Sequence, residues 1–151
     1  MYYEYVILGA GLGGLGMGLR LKELGEASFL IAEKSPSVGG TWRDNCYPGS
    51  ACDVHSHLYW YSFDKQPNWS RAYPTQPEIL ANIERLVKQH ELESHIRTGF
   101  EIVEAIWNSS EMLWTLRSAN NAIVTARFFI AAWGQLNNPK VPEFKGVKDF
   151  A

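Results

Sequence analysis

One run constrains this chain more than any other: Tyr5-Val6-Ile7-Leu8-Gly9-Ala10-Gly11-Leu12-Gly13-Gly14. A short apolar stretch reads as a strand that passes straight into a glycine-rich turn opening a helix over residues 12–24. Gly9, Gly11 and Gly14 fill the pattern G-x-G-x-x-G. The first allows a tight turn, the second lets backbone approach a pyrophosphate, and the third lets the helix pack against the strand. Amides and dipole at the start of that helix favour phosphate charge. Glycine clusters occur in many loops, so context has to carry the reading. A second strand at 28–32 ends in Glu33, 19 residues after Gly14, close to the spacing of about 20 at which an acid binds ribose hydroxyls. The chain therefore reads as a dinucleotide-binding β-α-β unit, against the plainer possibility of a structural turn and a solvent-exposed acid.

After Lys34-Ser35-Pro36 comes a stretch from residue 38 to 68, rich in Gly, Pro and aromatics and without periodicity. Loops of that length inside a compact domain are most often functional. Thr75-Gln76-Pro77-Glu78 is a capping box, and Ile79, Leu80, Ile83, Leu86, Val87 and Leu92 follow at helical spacing, predicting an amphipathic helix ending near Glu93. His90 is a boundary residue on that helix. The period then changes. Residues 96–98 suggest a third parallel strand, and 100–107, 112–117 and 122–125 an antiparallel excursion with turns at Asn108-Ser109-Ser110 and Ala119-Asn120-Asn121. The apolar run 128–132 predicts a buried parallel strand, and Pro139 and Pro142 break the chain after it. The fold class is α/β, with a single domain over residues 1–151 as the expectation for this length.

Composition excludes several functions. A net charge of −2 with no Lys/Arg cluster argues against a nucleic-acid or anionic-membrane partner, and no stretch is apolar enough to span a bilayer. The first strand begins by about residue 4, which leaves no room for a signal peptide. Cys46 and Cys52 show no metal-ligand pattern, so free thiols in a cytoplasmic protein are expected. His55 and His57 would share one strand face and mimic a metal pair, but no third ligand is near and no metal is expected. No base is placed to make Cys52 a nucleophile.

The order of parts resembles the FAD-binding half of flavoproteins with two dinucleotide-binding domains, a Rossmann-like parallel sheet carrying a β-meander. Thr125 through Gly134 is similar to that family's second FAD motif, with Trp133 where threonine is usual. Gly39-Gly40-Thr41-Trp42-Arg43-Asp44-Asn45-Cys46-Tyr47-Pro48-Gly49-Ser50-Ala51-Cys52-Asp53 closely resembles the G-G-T-W…N-x-Y-P-G-x-x-C-D segment of Baeyer–Villiger, or class B, flavin monooxygenases. Trp133-Gly134-Gln135-Leu136, Pro139 and residues 141–151 resemble the stretch just before the family's F-x-G-x-x-x-H-x-x-x-W motif. That motif, the catalytic arginine and the second glycine turn for NADPH would belong downstream of Ala151. The resemblance thus implies the N-terminal piece of a longer enzyme, inactive alone and with its NADPH site outside this chain.

The resemblance implies site residues too. Gly9, Gly11, Gly13 and Gly14 would line the pyrophosphate and Glu33 would accept from the ribose, leaving Leu12 and Leu15 to packing. Gly40, Thr41 and Trp42 lie where the family's loop runs along the flavin. Thr41 would bond a phosphate or ribityl oxygen and Trp42 would wall off water, unless it simply plugs the core. Arg43 and Asp44 match less strictly. Tyr59 matches a flavin contact, although Tyr59-Trp60-Tyr61 would equally suit a core. Ile102 matches a backbone position at the adenine, by composition alone an ordinary strand residue, and Gly134 matches a close approach to the cofactor. Asp53 would sit beside the flavin as the catalytic-site carboxylate and orient the arginine, unless it only caps a turn. The implied reaction uses FAD, NADPH and O2: oxygen activated on the reduced flavin attacks a ketone, and the adduct rearranges to an ester or lactone. A preorganised cation stabilises the charge that develops. The alternatives are a class B enzyme oxygenating nitrogen or sulfur, and a non-catalytic flavin- or nucleotide-binding module. An apolar sheet face left uncovered would favour a homodimer.

Overall fold

The computed structural model describes residues 1–64 and 68–149; residues 65–67 of the aromatic loop and 150–151 of the family-like tail lie outside the described residues. Six strands form one sheet: β1 (Tyr2–Leu8), β2 (Phe29–Ala32), β3 (Ile96–Arg97), β4 (Ile102–Asn108), β5 (Leu113–Ser118) and β6 (Ile123–Ala131). Their order is β3-β2-β1-β6-β5-β4. The first four in that order run parallel, and β6, β5 and β4 run antiparallel as a meander. Helices α1 (Leu12–Glu23), α2 (Thr41–Asp44) and α3 (Gln76–Gln89) and short 3-10 turns at Ser56–Leu58, Glu93–His95 and Val147–Asp149 accompany the sheet. The predicted α/β class with a meander is what the chain adopts.

Two apolar cores lie on the two faces of the parallel strands. Ile7, Phe29 and Ile31 meet Leu15 and Leu19 of α1 and Ile79, Ile83 and Leu86 of α3. On the other face Val6, Leu30 and Ala32 meet Phe100 and the meander residues Leu116, Val124 and Ala126. Each fully buried Phe, Ile or Leu contributes about 1.5–3 kcal/mol relative to exposure, so these two layers fix where the ends of β1 and β2 stand.

Four expectations are corrected. The predicted third meander strand and the predicted buried strand are one strand. Ala126-Arg127 offers no turn, so β6 pairs antiparallel with β5 from Arg117↔Ile123 to Trp114↔Ala126 and parallel with β1 from Tyr2↔Thr125 to Leu8↔Ala131. Nor is it buried throughout. Helix α1 packs on β1 and β2, which leaves Phe128 44% exposed, stacked on Tyr5 at 5.2 Å. Helix α3 ends at Gln89 rather than near Glu93, because Glu91 turns the chain at φ 51°. Lys22 of α1 donates to the freed carbonyls of His90 and Glu91, satisfying groups every helix end leaves open. His55 and His57 occupy no strand: Ser56–Leu58 is a 3-10 turn, with the two rings 4.8 Å apart. The capping box forms as predicted, Thr75 N and Oγ1 both donating to Glu78 Oε2 at 3.0 and 2.7 Å. Among the described residues no helix is long and apolar enough to cross a membrane.

Candidate functional site

The carboxyl ends of β1, β2 and β6 converge on the glycine turn. Gly9 N donates to Ala32 O at 2.8 Å and Ala132 N to Leu8 O at 3.0 Å, so the turn is pinned on both sides by sheet hydrogen bonds. Gly9 sits at φ 104°, and a Cβ there would stand 2.7 Å from Ala132 O. At Gly14 a Cβ would lie 1.8 Å from Gly9 O, so only glycine lets α1 approach β1 this closely. The first hydrogen bond of α1 is Leu15 N to Gly11 O, 3.0 Å. No side chain caps the helix and no acid stands in its first turn. The amides of Leu12, Gly13 and Gly14 precede that first bond, as four N–H groups do at any helix start. They form an uncapped positive end suited to an anion.

Glu33, just past β2, closes the other side. It is 4% exposed. Its Oε2 accepts from Ala10 N at 2.8 Å, tying it to the glycine turn, and its Oε1 accepts from Ser35 N at 2.9 Å. Arg43 Nη1 stands 3.4 Å from the same Oε1. A carboxylate can accept about four hydrogen bonds, so room remains for a ribose hydroxyl. Burial pulls the Arg43 guanidinium down, but its hydrogen bond to Asp44 and the charges of Glu33 and Asp44 outweigh this and push it up.

The loop following β2 folds back onto the turn. Gly39 N donates to Ala10 O at 3.0 Å, and Gly40, at φ 52°, lies so near that a Cβ on it would be 3.1 Å from Gly11 Cα. Thr41 is exposed at the start of α2, and Trp42 is half-buried against the α1–α3 core. Trp42 Nε1 donates to Tyr59 Oη at 2.8 Å, the rings edge-on at 5.8 Å. Gln76 donates to Trp42 O, and Tyr61 donates to Leu12 O. Burial pushes the Tyr59 phenol up although the Trp42 hydrogen bond pulls it down; the nearby Cys52 and Asp53 add to the rise. A recess of about 220 Å³ shares Leu12 and Tyr59 with this site. Sequence reasoning missed Gln76 and Tyr61. Gln76 is the first residue of α3 and Tyr61 sits in an aromatic run, so neither had a local signal.

The remaining candidates fall into two groups. Ile102 opens β4 two residues beyond Phe100, whose N donates to Glu33 O at 2.8 Å, so it belongs to the Glu33 end. Gly134 follows β6 at φ 75° with open space around its Cα. Asp53 is exposed and makes no side-chain hydrogen bond or ion pair among the described residues. The structure therefore gathers Gly9, Gly11, Gly13, Gly14, Glu33 and Gly40 at the carboxyl ends of β1 and β2 and pairs Trp42 with Tyr59. Asp53 is close enough to Tyr59 for its charge to be felt there. Cys46 is exposed, Cys52 is buried, and both are free thiols. Among the described residues no three His, Cys, Asp or Glu gather as a metal site.

A family model described as pyridine nucleotide-disulphide oxidoreductase matches residues 6–151. A "Baeyer-Villiger monooxygenase" of Pseudomonas aeruginosa is 42% identical over 147 residues, 97% of this chain and 28% of that protein. The "FAD-binding monooxygenase ktnD" of Aspergillus niger is 37% identical over 156 residues, 96% of this chain and 26% of that protein. Among solved structures, a steroid monooxygenase bound to NADP superposes with a TM-score of 0.90 at 37% identity, covering 98% of this chain and 29% of that one. The chain thus spans between a quarter and a third of the length of these relatives.

Proposed function

Because the chain belongs to the pyridine nucleotide-disulphide oxidoreductase family, we propose that its residues form the FAD-binding part of an NADPH- and O2-dependent flavoprotein monooxygenase of Baeyer–Villiger type. One observation carries this reading: an uncapped, acid-free start of α1 at the end of β1, faced by the buried carboxylate of Glu33. The residues fit a dinucleotide. Amides of the first turn would hold the diphosphate, a charge–dipole attraction of about 0.3–1 kcal/mol at an exposed helix start and up to about 2 when partly buried. Gly11 and Gly40 leave backbone bare on either side, and Glu33 would take the ribose hydroxyls, with the Ile102 backbone beside the adenine. The 42% identical relative and the loop from Gly39 to Asp53 support the Baeyer–Villiger type.

When bound, FAD supplies electron acceptance from NADPH and the activation of oxygen. The chain's own residues then bind, orient and shield. Trp42 and Tyr59, locked by their hydrogen bond, would wall the isoalloxazine and exclude water. Asp53, with its carboxylate unengaged among the described residues, would orient a cation beside the reacting oxygen. Thr41 and Gly134 would line the ribityl and flavin ends. The substrate of the whole enzyme would be a ketone, converted to an ester or lactone. The two free thiols are consistent with a cytoplasmic location, and the exposed Phe128 with association into a homodimer.

The test has two stages. The chain mixed with FAD and passed over a sizing column should elute yellow, with near-equimolar flavin. The whole polypeptide given a ketone together with an amine and a sulfide, NADPH and 18O2 should yield an ester carrying one labelled atom. A colourless protein peak contradicts the flavin reading. Labelled N- or S-oxide with the ketone untouched transfers the reading to the other class B activities.

A further inference from the structure

The Arg43 guanidinium reaches Glu33 from the short helix α2, which Trp42 anchors against the α1–α3 core. Helix α2 buries none of its four residues. The Arg43 side chain is nevertheless only 15% exposed and the Glu33 side chain 6%. Its polar contacts direct the head group: Nε donates to Asp44 Oδ1 at 2.8 Å, Nη2 to Asp44 Oδ2 at 3.0 Å, and Nη1 to Ser37 O and, at 3.4 Å, to Glu33 Oε1. No other cation among the described residues pairs with Glu33. A carboxylate this buried that loses the one cation paired with it among the described residues keeps its backbone bonds but loses its charge balance.

The acceptor count on Glu33 is informative. Ala10 N and Ser35 N hold one acceptor position on each oxygen at 2.8 and 2.9 Å, short bonds to fixed backbone. The Arg43 contact at 3.4 Å is the loose one. Of about four acceptor positions on a carboxylate, one is free and one is held weakly. A ribose diol brings two hydroxyl donors and needs two acceptors. The geometry points to Arg43 as the positioning residue for the adenosine end of the cofactor: it steadies the Glu33 carboxylate and yields its own long contact to the second ribose hydroxyl. This rests on the flavin reading above and adds a consequence to it. Ligands with an adenosine ribose depend on Arg43, whereas flavin mononucleotide, which has no adenosine, does not.

The experiment titrates the chain with three probes, FAD, ADP and flavin mononucleotide, following flavin fluorescence or heat of binding, in the parent chain and in Arg43→Gln, Arg43→Lys, Glu33→Gln and the Glu33→Gln/Arg43→Gln pair. Arg43→Gln is expected to weaken FAD and ADP by about tenfold, the value of one charge-assisted hydrogen bond, with flavin mononucleotide unchanged within about twofold. Arg43→Lys should recover part of the loss, because a charge returns without the planar fork. In the Glu33→Gln background the Arg43 change should add nothing, since the two act through one contact. Equal loss for flavin mononucleotide would show that Arg43 only fastens the loop, and would overturn the inference. Full additivity with Glu33→Gln, or undiminished FAD and ADP binding by Arg43→Gln, would overturn it too. In these cases the parent chain still binds flavin and the reading above stands; a parent chain that binds none of the probes removes both.

Discussion

The first turn of α1 and the loop from Gly39 to Asp64 flank the same site, and different forces hold them. The glycine turn is fixed by backbone: sheet hydrogen bonds at Gly9 and Ala132, a helix packed to the limit at Gly14, and a buried acid bonded to Ala10 N. The loop has one four-residue helix and one 3-10 turn; scattered backbone bonds tie it at Gly39, Ser50, Cys52 and Ser56, and single side-chain contacts do the rest: Trp42 to Tyr59, Gln76 to Trp42 O, Tyr61 to Leu12 O. The turn is thus preorganised, as the proposed seat of a diphosphate has to be. The loop rests on contacts worth about 1 kcal/mol each, which suits a wall that must adjust to what lies against it.

That contrast sets the size of mutational effects. Gly14→Ala should do most damage, since its Cβ would stand 1.8 Å from Gly9 O and backbone would have to move. Overpacking of this kind costs about 1–3 kcal/mol, occasionally more, and urea denaturation should show about 3 with flavin binding lost. A change below about 1 kcal/mol would mean that the turn is softer than its geometry. Trp42→Phe and Tyr59→Phe come next. Removing one partner of their hydrogen bond should cost about 1–2 kcal/mol, and the double mutant should cost less than the sum of the singles. Strict additivity would deny that the pair acts as one unit.

Smaller still is a pH effect at α3. The backbone and side chains of Ser70 and Thr75 hold the Glu78 carboxyl down to about 2 from its usual 4.5. A depressed carboxyl contributes stability above its unfolded value, and that stability is lost as pH falls from about 4.5 towards 2. Glu78→Gln should flatten the acid limb of stability against pH, with a loss on the order of 0.5 kcal/mol at neutral pH from the charge at the helix start. An unchanged acid limb would contradict the capping geometry. Asp53→Asn should change stability by less than about 0.5 kcal/mol, because the exposed carboxylate has no partner among the described residues. A large loss would place Asp53 among the loop's structural contacts.

The same contrast governs what could be read from sequence. The glycine turn and the Thr75–Glu78 cap were legible because local backbone geometry demands those residue types at those spacings, and Glu33 through its distance from the glycine turn. The tie from Gln76 to Trp42 O was not, since it joins residues 34 positions apart. The exposure of Phe128 was hidden for a related reason. An apolar run does not say whether a helix will cover it, and here α1 lies over the neighbouring strands. His55 and His57 looked like a strand pair because alternate residues mimic one face, but Ser56 begins a 3-10 turn. The loop as a whole was legible through resemblance rather than through periodicity.

The claim that a dinucleotide's diphosphate rests on the bare start of α1 can be tested residue by residue. Backbone amide signals of the 15N-labelled chain should be followed as FAD is added. The largest shifts are expected at Gly11, Leu12, Gly13 and Gly14, with Ser35 following as Glu33 engages the ribose. Saturable flavin binding that leaves those amides unmoved would contradict the account.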